Sequence, residues 1–164
     1  MPDGDFLDLD WVDGPADQPL LVLFHGLEGN ARGHYARSLM RAVQKRGWRG
    51  VVVNFRGCSG VPNRLPRAYH SGDSEEIQRV VQGLRTQAGD APLYAVGVSL
   101  GGNALLKWLG ESGDGAKAWL DAAVAISVPA DLRAAGLRLD KGVNRWIYTR
   151  HFLSTLRKKA IAKV

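Results

Sequence analysis

Gly97-Val98-Ser99-Leu100-Gly101-Gly102 is the stretch that decides how this 164-residue chain folds. An apolar run, residues 93–96, comes directly before it, and residues 103–109 continue with apolar side chains at helical spacing. In this order, strand, sharp turn and helix, a serine with a glycine two residues away on each side adopts a strained backbone conformation. The turn predicts a Ser99 hydroxyl exposed at the carboxyl end of a sheet, beside a helix N-terminus. Ser99 is therefore a candidate nucleophile, and the alternative is a serine that only caps the following helix.

A second segment supports this interpretation. Leu20-Leu21-Val22-Leu23-Phe24 is apolar without interruption, as a strand covered on both faces of a sheet should be. It ends in His25-Gly26-Leu27-Glu28-Gly29, where Gly26 lets the backbone approach another group closely. His25 either orders this loop through its ring nitrogens or transfers protons, and the pattern favours the ordering role.

Strands and helices alternate along the chain, which predicts an α/β fold with a mostly parallel sheet and helices on both faces. The predicted strands are 6–11, 20–24, 50–55, 93–96 and 122–128, and the predicted helices include 33–45 and 73–87. A helical region with breaks at Gly136 and Gly142 follows Pro129. Because ligands bind beyond the carboxyl ends of parallel strands, we expect residues 25–30, residues 56–72 and Ser99 to line one crevice.

The composition, with 45% hydrophobic and 23% charged residues, is typical of a single globular domain over residues 1–164. No run of about 18 apolar residues occurs, so we expect no transmembrane segment. The first 17 residues hold six aspartates and no basic residue, the opposite of a secretory signal. With Cys58 as the single cysteine, this suits a cytoplasmic location. The net charge of +6 accompanies no nucleic-acid-binding motif, so we expect no nucleic-acid partner.

The most specific signal lies in five blocks of sequence, residues 24–29, 54–60, 62–64, 69–72 and 97–103. Together they resemble the YheT-like α/β-hydrolases, and the resemblance extends over nearly the whole chain. It implies an α/β-hydrolase fold, a small-molecule carboxylic ester as substrate and a Ser-Asp-His relay, with no metal and no cofactor. Residues 56–72 carry more of this resemblance than the serine turn, which most α/β-hydrolases share.

The resemblance also implies roles for individual residues. Ser99 would form an acyl-enzyme, while the backbone N–H groups of Leu27 and Leu100 would form the oxyanion hole. The possible crevice residues are His25, Gly26, Arg56, His70 and Asp131.

The relay acid and histidine are expected after the nucleophile, yet His151 is the only histidine that follows Ser99. Asp131 follows a predicted strand and is either that acid or a helix cap, and His70 breaks the expected order. We therefore expect a fold truncated before its last strands, with residues from about 130 to 164 beginning a cap or lid. Such a chain would be weakly active or inactive alone, and its exposed last strand would pair with another copy or with a missing C-terminal half. A non-catalytic binding or assembly module on the same fold is the alternative.

Overall fold

A computed structural model of the chain describes residues 1–163. Within these residues, five strands form one sheet in the order β1-β3-β2-β4-β5. The strands are β1 Asp8–Val12, β2 Leu20–Phe24, β3 Arg49–Asn54, β4 Leu93–Val98 and β5 Ala122–Ile126. β1 pairs with β3 in an antiparallel manner, and the other neighbours are parallel. The predicted mostly parallel α/β sheet is confirmed.

Helices connect the parallel strands and cover both faces of the sheet. They are α1 His34–Lys45, α2 Ser74–Ala88 and α3 Leu100–Ser112, with a 3-10 helix, Gly113–Ala118, after α3. Beyond β5 come α4 Leu132–Leu139, α5 Gly142–Asn144, a π-helical turn Arg145–Thr149 and α6 Arg150–Ile161. The predicted break at Gly136 is wrong, because α4 continues through it and a glycine inside a helix costs only about 1 kcal/mol. No helix of residues 1–163 is both long and apolar enough to cross a bilayer.

β2 is buried along its whole length because both of its faces are covered. Leu20, Val22 and Phe24 pack with apolar side chains of α2 and α3, while Leu21 and Leu23 pack against α1 on the other face. Successive side chains of a strand point to opposite faces, so both layers of the core need apolar residues from this strand. This explains the uninterrupted apolar run.

β5 forms one edge of the sheet, and most of its side chains are exposed, including Val124 at 53% and Ile126 at 46%. The helices α4, α5 and α6 bury none of their residues. The prediction that the last strand is an exposed apolar edge is thus confirmed for the described residues. On α3, the Leu106 side chain is exposed, whereas the Trp108 side chain is buried.

Candidate active site

Ser99 lies in the turn between β4 and α3 with φ +51° and ψ −116°. Residues with a side chain rarely adopt this conformation, and it persists only where the surroundings hold it. A Cβ on Gly97 would lie 2.5 Å from the Cα of Gly102, and one on Gly101 would lie 2.4 Å from the carbonyl oxygen of Phe24. The glycines therefore let β4, α3 and β2 meet at distances that no side chain would allow. The predicted strained turn is confirmed.

The Ser99 hydroxyl makes no hydrogen bond within the described residues. Ser99 is half-buried, and its Oγ has no hydrogen-bond partner among residues 1–163. Its own N–H donates to the carbonyl oxygen of Ile126 at 2.8 Å, which ties the turn to β5. Its side chain does not cap α3, so the alternative of a purely capping serine is wrong. Such a hydroxyl becomes an effective nucleophile only when a base accepts its proton.

The loop after β2 lies directly beside this turn. A Cβ on Gly26 would lie 3.2 Å from the Cβ of Ser99 and 3.8 Å from its Oγ, so Gly26 stands beside the hydroxyl. Two residues later, Glu28 has φ +56°, a conformation that costs a non-glycine residue about 1–3 kcal/mol. The contacts of this loop must therefore hold it in place.

Most amide groups of this loop are paired. The pairs are Gly26 N–H to Tyr35 Oη (2.8 Å), Glu28 N–H to Tyr69 Oη (2.7 Å) and Gly29 N–H to Gly26 O (2.9 Å). In contrast, the Leu27 N–H between them has no acceptor within residues 1–163. The same is true of the Leu100 N–H, which opens α3 directly after Ser99. Both candidate oxyanion donors are thus available, and their role stays a prediction.

The His25 ring is fully buried, with both nitrogens bound. Nδ1 lies 2.8 Å from the carbonyl oxygen of Gly26, and the Phe55 N–H donates to Nε2 at 3.1 Å. Nδ1 therefore carries the proton. Burial lowers the pKa of His25 to about 4, so the ring is neutral at pH 7. The interpretation of His25 as a residue that orders the loop is confirmed, and neither nitrogen is free for proton transfer.

The prediction that Arg56 lines the crevice is wrong. Its side chain is only 1% exposed and pairs with Asp3 at 2.8 Å, with Asp5 at 2.7 Å and with Glu76. Although burial opposes the charge, hydrogen bonds to these carboxylates raise the pKa of Arg56. Arg56 therefore joins the N-terminal segment to α2, and its guanidinium is not available to a substrate.

His70 and Asp131 are engaged in local contacts. His70 is exposed, with Nε2 at 3.1 Å from the Asp73 carboxylate and Nδ1 accepting the Gly72 N–H. Asp131 caps α4 by accepting the Ala134 N–H at 2.9 Å, which confirms the capping alternative. Neither side chain hydrogen-bonds Ser99, so these contacts do not support a crevice role. No three potential metal ligands come together within residues 1–163.

Glu28 is a residue of interest that the sequence analysis missed. Its carboxylate is 4% exposed and accepts hydrogen bonds from Tyr69 Oη at 2.7 Å and from Lys159 Nζ at 2.8 Å. Burial works to raise the pKa of Glu28, but the bonds from Lys159 and Tyr69 bring it below its ordinary value. Lys159 belongs to α6, so this helix contacts the loop after β2. The only signal was that Glu28 and Tyr69 both lie in blocks of the family resemblance.

Comparisons with known proteins agree with this fold. Residues 19–158 match the family described as the alpha/beta hydrolase fold. The chain is 47% identical to "Putative esterase YheT" of Escherichia coli K12, over 100% of this chain and 48% of that protein. It is 31% identical to human "Phospholipase ABHD3", over 98% of this chain and 41% of that protein.

Among solved structures, an esterase from Pyrococcus furiosus is similar, with a TM-score of 0.68 and 22% identity. The similarity covers 90% of this chain and 57% of that one, and it supports the fold alone. The chain spans about half the length of the curated relatives it matches.

Proposed function

The chain belongs to the α/β hydrolase fold family, and from this premise we propose that it is the nucleophile-bearing part of a serine hydrolase that acts on carboxylic esters. The observation that supports this most is the unpaired Ser99 hydroxyl in a strained turn, beside a loop whose Leu27 amide is also unpaired. The ester as substrate class is supported by the name of the YheT relative, which describes an esterase.

In the proposed reaction, Ser99 Oγ attacks the carbonyl carbon of the ester while its proton passes to a base. The carbonyl oxygen gains the negative charge and accepts hydrogen bonds from the N–H groups of Leu27 and Leu100. The alcohol then leaves with the proton, and water hydrolyses the acyl-enzyme. Each backbone donor supplies about 3–4 kcal/mol of transition-state stabilisation in enzymes of this kind.

We propose that the base and its acid come from a C-terminal half of the kind that the YheT relative contains. None of the histidines within residues 1–163 hydrogen-bonds the Ser99 hydroxyl. The unpaired backbone edge of β5 is the proposed contact surface, because another parallel strand would pair with it there. The helices that accompany such a strand would cover the exposed Val124 and Ile126 on the faces of the sheet. A chain without base and acid would retain only oxyanion stabilisation and binding, about 10³-fold over water.

We further propose that residues from about 130 onward begin a cap over the site. Lys159 bonds Glu28, and Lys163 Nζ bonds the carbonyl oxygen of Leu65 at 2.6 Å. Both lysines therefore hold the C-terminal helical region against loops at the carboxyl ends of the strands. Val164, the last residue of this predicted cap, lies outside the described residues. A cytoplasmic location stays a prediction.

A non-catalytic binding or assembly module on the same fold is the second candidate. It is favoured by one observation, the lack of a base bonded to Ser99 among residues 1–163. Such a module would use the same crevice without chemistry.

A fluorophosphonate probe tests the proposal, because it reacts with a nucleophilic serine at a rate that rises as the serine is activated. We expect slow labelling of the chain, loss of labelling in Ser99→Ala, and unchanged labelling in Ser127→Ala. Ser127 is a matched control because it follows the neighbouring strand and also has positive φ. Equal labelling of the wild type and Ser99→Ala would contradict the proposal. An unreactive chain, even with the C-terminal half of YheT added, would favour the binding module.

A further inference from the structure

Two tyrosine hydroxyls hold the backbone amides on either side of Leu27. Tyr35 Oη accepts the Gly26 N–H at 2.8 Å, and Tyr69 Oη accepts the Glu28 N–H at 2.7 Å. Tyr35 lies on α1, whereas Tyr69 lies in the segment between β3 and α2, so the two hydroxyls come from different parts of the chain. The amide between them is left without an acceptor within the described residues.

Each hydroxyl is itself held in place. The buried Tyr69 ring stacks on Phe55 with centroids 5.4 Å apart and planes 3° apart, and its hydroxyl donates to Glu28 Oε1. Tyr69 thus both accepts the Glu28 amide and donates to the Glu28 carboxylate. A Cβ on Gly29 would lie 2.9 Å from Tyr35 Oη, so this glycine leaves the space that the other hydroxyl occupies. Burial raises the pKa of both tyrosines, so both hydroxyls stay protonated near neutral pH.

We propose that Tyr35 and Tyr69 are positioning residues that hold the Leu27 N–H toward the oxygen of the acyl group on Ser99. The inference rests on the proposed function. The two bonds hold the 25–26 and 27–28 peptide groups. These flank the 26–27 peptide that carries the Leu27 N–H, and its carbonyl oxygen is held by His25 Nδ1 and the Gly29 N–H, so the direction of the Leu27 N–H is set from both sides. Such control matters because an oxyanion donor acts at about 2.7–3.1 Å, and a displacement of about 1 Å lowers a rate on the order of 10²-fold.

The hydroxyls of Tyr35 and Tyr69 together form what we call the clamp. The clamp also explains the positive φ of Glu28. A non-glycine residue at φ +56° relaxes unless its neighbours hold it, and here Tyr69 bonds both its amide and its carboxylate. Lys159 bonds the same carboxylate from α6, so the clamp is linked to the C-terminal helical region.

Three tyrosine-to-phenylalanine variants test the clamp, because phenylalanine keeps the ring and removes only the hydroxyl. Tyr35→Phe and Tyr69→Phe each break one bond. Tyr94→Phe is the matched control, since Tyr94 packs against Trp48 and its hydroxyl has no hydrogen bond within residues 1–163. Two experiments are carried out on each variant. NMR measures the amide hydrogen exchange rates of Gly26 and Glu28 and the chemical shift of the Leu27 amide. The kinetics of Ser99 phosphonylation give kinact and KI.

We expect exchange to rise at least about tenfold at Gly26 in Tyr35→Phe and at Glu28 in Tyr69→Phe, because each amide loses its acceptor. The Leu27 amide shift should change in both variants. The constant kinact should fall about tenfold in each, with KI unchanged, because a displaced oxyanion donor weakens only the transition state. Tyr94→Phe should match the wild type in every measurement.

Unchanged exchange and an unchanged Leu27 shift in both variants would overturn the clamp, and this result needs no reaction of Ser99. Faster exchange with an unchanged kinact, or a rise in KI alone, would overturn the positioning role. Labelling of Ser99→Ala at the wild-type rate, or a wild-type chain that does not react even with the C-terminal half of YheT added, would instead contradict the proposed function. The exchange rates would then still decide whether the hydroxyls hold the loop.

Discussion

β2 and β5 are both apolar strands of five residues, yet their surroundings are opposite. Every residue of β2 is buried, whereas β5 exposes most of its side chains at the edge of the sheet. Both strands contact the same site. β2 leads into the loop that carries Leu27, and the carbonyl oxygen of Ile126 in β5 accepts a hydrogen bond from the Ser99 N–H. An apolar run therefore predicts a strand. It does not predict whether the helices and strands that bury it belong to the described residues.

The difference has a consequence for the candidate site. On the β2 side, the amides of Gly26 and Glu28 on either side of Leu27, the buried His25 ring and two tyrosine hydroxyls are held by hydrogen bonds. On the β5 side, Asp131 caps a helix and no acid or histidine reaches the Ser99 hydroxyl within residues 1–163. The side proposed to stabilise charge is held in place by hydrogen bonds, whereas the side from which a proton relay would act has no such contacts among the described residues.

The difference in burial between β2 and β5 is tested by making the same substitution in each strand. Val22→Asp places a carboxylate where Val22 is 0% exposed, and we expect a loss of at least about 4 kcal/mol in the free energy of unfolding. Val124→Asp, at a side chain 53% exposed, should change it by less than about 1 kcal/mol. Urea unfolding measures both. Equal losses would mean that β5 is as well covered as β2.

The contact between β2 and the serine turn is tested by two glycines of α3. Gly101→Ala forces a Cβ against the Phe24 carbonyl, and we expect a loss of about 3 kcal/mol. Gly110→Ala is the matched control, because a Cβ there meets nothing within 4 Å; it should stabilise the protein by about 0.5–1 kcal/mol. Thermal and urea unfolding measure both. A Gly101→Ala protein as stable as the wild type would show that the turn is not packed against β2.

The buried His25 predicts a pH dependence. Its pKa is about 4 in the folded protein and near 6.5 in an unfolded chain. Between these values the unfolded chain binds the additional proton, so the free energy of unfolding falls as the pH is lowered. We expect a loss of about 2–3 kcal/mol between pH 7 and pH 4 from this ring. The loss should disappear in His25→Asn and persist in His34→Asn; an equal slope in His25→Asn would contradict the assignment.

The smallest effect concerns the contact of α6 with the site. Lys159→Met removes the bond to Glu28, and we expect a loss of about 1 kcal/mol, because the lysine is partly exposed to solvent. Lys158→Met, at the exposed neighbouring position on the same helix, should have no measurable effect. Faster proteolysis within 150–161 in Lys159→Met alone would support the contact. Identical behaviour of the two variants would argue that α6 is held by other groups.

The features that the sequence predicts well are determined by residues that lie close together along the chain. The serine turn follows from glycines within three positions of Ser99, and the parallel sheet follows from apolar runs between helices. Arg56 was assigned wrongly because its partner Asp5 is 51 positions away, and nothing near it distinguishes a structural ion pair from a substrate contact. Glu28 was missed for the same reason, because its partner Tyr69 is 41 positions away.

The proposed function requires Ser99 to attack a carbonyl carbon, and mass spectrometry of the modified peptide tests this requirement most directly. The chain is incubated with a fluorophosphonate, alone and with the C-terminal half of YheT, and the position of the adduct is mapped. We expect a single adduct on Ser99 that forms faster when the second half is present. An adduct on another residue, or none in either condition, would contradict the account.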